Sequence, residues 1–344
     1  MRTVPLVLFA CILGAPGGAQ WLKQPTAGIP RNADGKPNLS APAPRTPDGH
    51  PDVSGLWRRN SKYPLNIAVD LKTGDVAPWA DALFKQRSED LAKDYMGVLC
   101  LPLGPGYATL ADMAKIIQTP SLIAILHNDL THRQIFMDGR ALEKDPNPNW
   151  MGYSVGRWEG DTLVVESTGF NDRTWLDPLG HPHTEALRTT ERYRRIDFGH
   201  MELMFTLDDP KAYSKPWTIK IDMTLAPDTE MLEYVCNESE NARPHLVGTA
   251  SDDRKRAVQV APEILAKYVG SYQMGPRVFG IVLEQGQLVI DVEGIGRMPL
   301  IPLGESAFTS PLLGPAEFVK DAEGAVTHLI LPFVAGDVRA PRRK

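Results

Sequence analysis

The sequence predicts a mainly β protein, with an antiparallel barrel or sandwich followed by a second, smaller β-rich domain. Three observations predict this class. From about residue 114 onward, short runs rich in β-branched and aromatic residues follow one another with short connections. From Trp217 to Leu225 apolar and polar residues alternate, so one face of that strand is buried and the other is wet. Glycine (29 residues) and proline (30 residues) are frequent, which favours turns over long helices.

Length and charge narrow the class of protein further. The chain has 344 residues with 37 basic and 42 acidic side chains, giving a formal net charge of −5. That length is enough for about two domains with ample core. A hydrophobic fraction of 42% excludes a disordered chain. Net acidity argues against a nucleic-acid partner, which usually meets a basic face.

The first 19 residues have the three parts of a secretory signal peptide. Arg2 is a short basic region, residues 4–13 are apolar, and small residues precede a predicted cut between Ala19 and Gln20. We therefore expect an exported protein, periplasmic or extracellular. We expect no transmembrane segment, because no other apolar run approaches the roughly 20 residues that a spanning helix needs. The alternative is a lipoprotein anchored at Cys11.

Composition divides the mature chain into three parts. Residues 20–52 hold seven prolines and a heptapeptide that recurs in related form, so we predict an extended proline-rich arm. Residues 53–247 carry the β-barrel-like domain with one helix near 78–95. Residues 260–344 carry the small β-rich C-terminal domain, after a polar and charged boundary.

Two cysteines, Cys100 and Cys236, remain after the predicted cleavage. In an oxidising compartment they would pair and close a long loop. The chain-entropy model gives such a loop about 4–5 kcal/mol of stabilisation. The alternative is two separate buried thiols, each behaving as a small hydrophobic side chain.

Three long motifs resemble those of a family of uncharacterised secreted bacterial proteins. They are WMGYSVGRWEGDTLVVE at 150–166, GFNDRTWLD at 169–177 and GHPHTEAL at 180–187. The resemblance implies kinship over residues 114–247 and no particular chemistry.

Two further resemblances concern the fold. Residues 262–335, with YVGSY at 268–272 and EFVKDAEG at 317–324, are similar to a small β-domain appended to secreted serine-β-lactamase-like proteins. That domain is an accessory, and this chain lacks the hydrolase partner. The start of the first predicted strand, Gly55-Leu-Trp57, resembles the Gly-x-Trp strand of lipocalin-type barrels and implies a lipocalin-like barrel.

The segment His181-Pro-His183-Thr-Glu185 is the sharpest candidate for chemistry. In an extended segment alternate side chains share one face, so two imidazoles and a carboxylate would converge at the mouth of the barrel. That donor set suits Zn²⁺ or another borderline divalent ion. The alternative is a polar rim of hydrogen-bonded histidines without a metal.

The same inward face continues into Glu191 and Tyr193, which suggests acid–base chemistry without a metal. Burial of Glu185 or Glu191 would raise its pKa, so that it could act as acid or base with His183. Tyr193 and Tyr153 would then stabilise an oxyanion.

Two simpler interpretations stand beside this chemistry. A buried glutamate would pair with an arginine such as Arg157 or Arg173. The string Gly152-Tyr-Ser154-Val-Gly156 matches the serine-hydrolase pattern, but that chemistry needs a strand, a sharp turn and a helix. Here another predicted strand follows, so we expect Ser154 to lie in the middle of a strand.

Candidate ligand-contacting residues come from one loop and two strands. The loop at 169–177 carries Asn171, Arg173 and Trp175, and loops of this composition often line ligand sites. Tyr153 and Trp217 are the strand residues, and Trp217 belongs to an apolar face that would line the barrel lumen.

These residues support three functions. The first is an exported protein that binds or acts on a small, partly hydrophobic molecule inside a β-barrel. The second is a lyase, isomerase or hydrolase with a His/Glu site, metal-dependent or not, at the barrel mouth. The third is a non-catalytic envelope interaction module. Fold alone does not separate them, since barrels host all three.

Overall fold

The computed structural model describes residues 25–63, 65–72, 74–90, 94–110, 113–231, 234–236, 256–274, 277–292, 296–310, 314–333 and 336–343. The predicted signal peptide, the alternative anchor at Cys11 and most of the boundary before residue 260 lie outside these ranges. Among the described residues, no helix is long and apolar enough to cross a membrane.

Nine strands form a closed barrel, which confirms the predicted mainly β class and selects a barrel over a sandwich. The strands are β1 Gly55–Asn60, β2 Met113–Gln118, β3 Leu122–His127, β4 His132–Phe136, β5 Tyr153–Glu159, β6 Thr162–Thr168, β7 Arg188–Arg195, β8 His200–Asp208 and β9 Trp217–Leu225. They pair in chain order, and β1 closes the barrel against β9.

One pair in the barrel departs from the antiparallel pattern. β4 and β5 are parallel, with Ile135 opposite Ser154. A parallel neighbour requires the chain to return along the barrel, and residues 137–152 make that crossing. All other neighbouring pairs in this barrel are antiparallel.

Every second side chain along a strand points inward, and these inward side chains pack together inside the barrel. In β9 the side chains of Trp217, Ile219, Ile221, Met223 and Leu225 are buried, as their spacing predicts. They join the inward apolar side chains of the neighbouring strands in one continuous core. Burial of this apolar surface is the main force that closes the barrel.

Two ends of the barrel are defined by the connections they carry. The turns at 160–161 and 196–199 lie at one end, here called the lower end. The other end, here called the upper end, carries the turn at 128–131, the loops at 169–187 and 209–216, and the long connection at 61–112.

Three short helices lie in the connection at the upper end. α1 spans Pro78–Glu89, a 3₁₀ helix spans Met96–Leu99, and α2 spans Gly104–Leu110. The predicted helix near 78–95 therefore begins at its proline but ends earlier. Tyr95 has an extended backbone because it precedes the 3₁₀ helix instead of continuing α1.

The arm docks against the barrel through two copies of one turn. In the first copy, Arg31 donates to the carbonyl of Gly35 and forms an ion pair with Asp228. In the second copy, 14 residues on, Arg45 donates to the carbonyl of Gly49 and pairs with Asp161. The repeated heptapeptides at 34–40 and 48–54 thus encode equivalent turns, each held to the barrel by an arginine.

The C-terminal domain is β-rich, as predicted, and forms a second antiparallel sheet. α3 (Pro262–Tyr268) precedes eight strands that pair in chain order into a nearly closed sheet. They are β10 Gly270–Met274, β11 Arg277–Glu284, β12 Gln287–Val292, β13 Gly296–Pro302, β14 Ala307–Ser310, β15 Gly314–Lys320, β16 Val326–Phe333 and β17 Gly336–Pro341. Its core is formed around the aromatic rings of Tyr268, Tyr272, Phe308 and Phe318.

Candidate functional site

The predicted metal ligands lie at the upper end, but the structure does not bring them together. His181 and His183 are buried, whereas Glu185 is exposed in a turn. The expected convergence required an extended segment, and β7 begins only at Arg188. In the described part of the chain, no three His, Cys, Asp or Glu side chains are grouped so that they could hold a metal ion.

Each of these histidines has its own hydrogen-bond partners. His181 Nδ1 lies 2.7 Å from Asp177 Oδ2, and its ring stacks on Phe84 at 4.1 Å between centroids. His183 Nδ1 donates to the carbonyl of Thr184 at 3.1 Å, so its Nε2 accepts from the hydroxyl of Thr174 at 2.6 Å. Burial lowers the pKa of His183. This arrangement matches the rim of hydrogen-bonded histidines.

Asp177 organises the loop that carries both histidines. Its carboxylate is fully buried and accepts from the backbone N–H groups of Ile67, Gly180 and His181. A buried carboxylate is stable only when several donors surround it. Asp177 therefore ties this loop to the connection that follows β1.

The five predicted ligand-contacting residues are not gathered around one cavity. Asn171 accepts from the backbone N–H of Arg173 within a turn. Trp175 is buried between the guanidinium of Arg87 (4.4 Å) and the ring of Tyr95 (5.3 Å). Together with α1 residues, Arg173 and Trp175 line a small hollow of about 250 Å³.

The two strand residues of that set lie elsewhere. Tyr153 is exposed at the start of β5 and lines a separate open hollow with residues 138–143. Trp217 belongs to the apolar core, where its indole N–H donates to the carbonyl of Ile67 at 3.3 Å.

Glu191 and Tyr193 point into the barrel, as the alternation predicts, and both are buried. Glu191 Oε1 forms an ion pair of 2.6 Å with Arg133 of β4, and the hydroxyl of Tyr193 donates to Glu191 Oε2 at 2.8 Å. The structure thus contains the predicted pair of a buried glutamate and an arginine, but the partner is Arg133 and not Arg157 or Arg173, the two examples given from the sequence. Arg157 lies on the outer face and pairs with Glu159 and Glu166.

Two serines accept hydrogen bonds from other N–H groups of the Arg133 guanidinium. Its Nε donates to Ser154 Oγ at 3.0 Å, a terminal N–H donates to Ser167 Oγ at 2.7 Å, and the two hydroxyls are 2.8 Å apart. Ser154 lies within β5, as expected, with no sharp turn to expose it as a nucleophile. Burial, followed by the charge of Glu191, raises the pKa of Tyr193 well above its usual value.

His127, like Arg133, is an inward residue that sequence reasoning missed. Its side chain is buried at the upper end of β3, and among the described residues neither ring nitrogen has a hydrogen-bond partner. Burial lowers its pKa, and the nearby guanidinium groups of Arg59 and Arg133 and the His132 ring lower it further. The alternation of Ile123, Ile125 and His127 in β3 was the signal that could have found it.

His127 also lies at the edge of a cleft of about 580 Å³, here called the upper cleft. The upper cleft opens between the 3₁₀ helix and α2 on one side and the turn at 128–131 on the other, with residues 234–236 closing a third side. Its wall includes Tyr95, Leu101, Leu103, Tyr107, His127, Asp129, Leu130 and Tyr234.

A disulfide holds the wall of the upper cleft together. Cys100 and Cys236 are bonded and both line the cleft, so the paired alternative is the one that the structure contains. The bond ties the connection after β1 to the segment that follows β9, which are far apart in sequence.

Two residues of this wall have unusual backbone conformations. Cys100 (φ 53°) and Leu130 (φ 65°) are in the left-handed region, where glycine or asparagine is the usual occupant. The Leu130 side chain is also 60% exposed. Such departures from low-energy geometry are concentrated at functional sites, so they direct attention to this cleft.

Comparison with known proteins adds no family. No protein-family model matches the chain, and no curated protein matches it. The resemblances drawn from the sequence motifs therefore stay predictions.

Proposed function

We propose that this is an exported binding protein that takes up a small, partly apolar molecule in the upper cleft. The observation that carries the proposal is the cleft itself. Its volume of about 580 Å³ lies in the range of small-molecule sites, roughly 300–1,000 Å³. Its wall combines leucine and tyrosine side chains with a few polar groups, which is the composition typical of such sites.

The proposed ligand site lies at the mouth of the barrel and not in its lumen, where the sequence placed it. The lower part of the lumen is occupied by the apolar core, which includes Trp57, Ile123 and Met201. Above that core, the groups around Arg133 and Glu191 bond to one another. A ligand in the upper cleft would rest above this network, with His127 at the inner edge.

Binding is better supported than catalysis by the same residues. The ring nitrogens of His127 are buried, and its lowered pKa makes it a weak base. Glu191 and Tyr193 bond to each other and Glu191 also pairs with Arg133, while Glu185 is exposed away from these groups. Among the described candidates for acid–base chemistry, Glu191 and Tyr193 are therefore occupied by each other and by Arg133, so the enzyme interpretation has less support.

The test is a ligand-detected NMR screen of small aromatic and aliphatic molecules against the mature chain beginning at Gln20. Leu103→Trp would fill the upper cleft, and Met204→Trp on the outer face of β8 is the matched control. We expect binders whose signals disappear with Leu103→Trp and persist with Met204→Trp, while both variants keep a cooperative thermal transition. Binders unaffected by Leu103→Trp, or a screen without binders, would contradict the proposal.

A further inference from the structure

The upper cleft carries a distinctive charge. Among the described residues that line it, Asp129 is the one carboxylate, and no lysine or arginine contributes to the wall. The buried guanidinium of Arg59 donates to the carbonyl of Ala108 in this wall, so a negatively charged ligand group would meet a balancing cation only at the inner edge and would be repelled at Asp129. A positively charged ligand would meet an opposite charge in a partly desolvated site, where the attraction is stronger than in water.

Asp129 has one carboxylate oxygen available for a ligand. Oδ1 accepts from the backbone N–H of Thr131 at 3.0 Å and from its hydroxyl at 2.6 Å. Oδ2 has no hydrogen-bond partner among the described residues. The turn therefore holds the carboxylate in place through one oxygen and leaves the other toward solvent or ligand.

Three tyrosine rings, those of Tyr95, Tyr107 and Tyr234, share the wall with this carboxylate. The face of an aromatic ring carries partial negative charge and attracts ammonium groups within about 6 Å. Burial, and after it the charges of Tyr107, Asp177 and Asp129, raise the pKa of the Tyr95 hydroxyl, so this ring stays neutral. The lowered pKa of His127 keeps that side chain uncharged as well.

We propose that the ligand of the upper cleft is an organic cation, a substituted or quaternary ammonium attached to an apolar body. The ammonium group would lie against the tyrosine rings and Asp129, and the apolar body would contact Leu101, Leu103 and the exposed Leu130. The inference rests on the proposed function and specifies the class of molecule that the same cleft takes.

The experiment compares a cation with its uncharged carbon isostere. Benzyltrimethylammonium and neopentylbenzene have nearly the same shape and differ in charge, and saturation-transfer NMR measures the affinity of each for the mature chain. We expect the cation to bind at least about tenfold more tightly. Equal affinity, or tighter binding of neopentylbenzene, would overturn the cation inference while leaving a binding cleft. Binding of neither probe, together with an empty general screen, would count against the proposed function instead.

Variants test whether the preference for the cation over neopentylbenzene comes from the wall of the upper cleft. Asp129→Asn keeps the acceptor for Thr131 and removes the charge. We therefore expect it to lower the affinity for the cation about fivefold or more and to leave the affinity for neopentylbenzene unchanged. Asp222→Asn on the outer face of β9 is the control. Tyr234→Leu should lower the affinity for the cation, whereas Tyr234→Phe should keep it near the wild-type value, because the face of the ring makes the contact. If Asp129→Asn and Asp222→Asn had the same effect, the cation inference would fail.

Discussion

The closed barrel and the nearly closed C-terminal sheet differ in the polar side chains that they bury. Among the described residues, the C-terminal sheet buries only Thr309 and Ser310 as polar side chains. The first barrel buries a full ion pair, Arg133 with Glu191, together with His127 near its upper end. Both have continuous apolar cores, and the C-terminal sheet curls into its nearly closed form without buried charges among its described residues.

The difference supports the proposal that the binding site belongs to the first barrel. Buried charges lose hydration, and replacing a buried ion pair by apolar side chains is often neutral or stabilising. A network of this kind is therefore not explained by stability alone. His127 at the edge of the upper cleft lies near Arg133, whose charge helps to lower the pKa of the histidine, whereas the C-terminal sheet has no buried charged side chain among its described residues.

The largest effect on stability is expected when one partner of the buried ion pair is removed. Glu191→Gln leaves Arg133 as an uncompensated buried cation, which typically lowers the free energy of unfolding by about 3–5 kcal/mol. We expect chemical denaturation to show the first barrel unfolding at lower denaturant concentration, with the C-terminal domain unaffected.

Glu202→Gln is the matched control for this variant. Glu202 lies on the outer face of the neighbouring strand, where it pairs with Arg194 and Lys220. Partly exposed pairs contribute less than about 1 kcal/mol. Equal losses in the two variants would show that the Arg133–Glu191 network is not the special feature of the first barrel.

A smaller effect is expected from a glycine under the upper cleft. A Cβ added to Gly106 of α2 would lie 2.2 Å from the carbonyl oxygen of Leu176, so α2 would have to move away from the loop at 169–187. Overpacking of this kind costs about 1–3 kcal/mol. We expect Gly106→Ala to lower the melting temperature and to reduce the affinity for any ligand of the upper cleft.

The other barrel supplies the control for this glycine. A Cβ at Gly280 of β11 would meet its neighbours at 3.9 Å, an ordinary contact distance. Gly280→Ala should therefore leave the melting temperature nearly unchanged. A larger loss for Gly280→Ala than for Gly106→Ala would contradict the close packing of α2.

Acid should destabilise the first barrel in a measurable pH range. His127 and His183 have lowered pKa values in the folded chain, while the unfolded chain binds their protons near the ordinary value of 6.5. Unfolding therefore takes up protons below about pH 6.5. Above that pH the histidines should not reduce the free energy of unfolding. Below it, the free energy of unfolding should fall as the pH drops, by at most about 1.4 kcal/mol per pH unit for each histidine.

His127→Phe should reduce the slope of the free energy of unfolding against pH by the contribution of one histidine. His132→Gln, an exposed neighbour on β4, is the control. Denaturation midpoints between pH 7.5 and 5 measure both variants. A His127→Phe slope identical to that of the wild type would mean that His127 gains a proton in the folded state as easily as in the unfolded chain.

Much of the barrel could be predicted because it depends on local alternation. The inward positions of Glu191, Tyr193 and Trp217 follow from period-two burial within single strands. The same rule failed for His181, His183 and Glu185, because a turn at 185–186 interrupts the extended backbone that the rule assumes.

Pairings between distant residues could not be obtained from local patterns. Arg133 is 58 residues from Glu191, and nothing in the neighbourhood of either residue identifies the other as its partner. The disulfide between Cys100 and Cys236 was one of two open alternatives for the same reason.

The β class, a second β-rich region and the inward faces of β7 and β9 could be predicted from the sequence, because each depends on short-range alternation. The turns of the arm, which the sequence predicted as an extended segment, the partner of Glu191, the burial of His127 and the upper cleft followed only from the three-dimensional structure. The last three depend on barrel closure, which brings β1, β3, β4 and β7 around one lumen and joins residues 234–236 to the wall near Cys100.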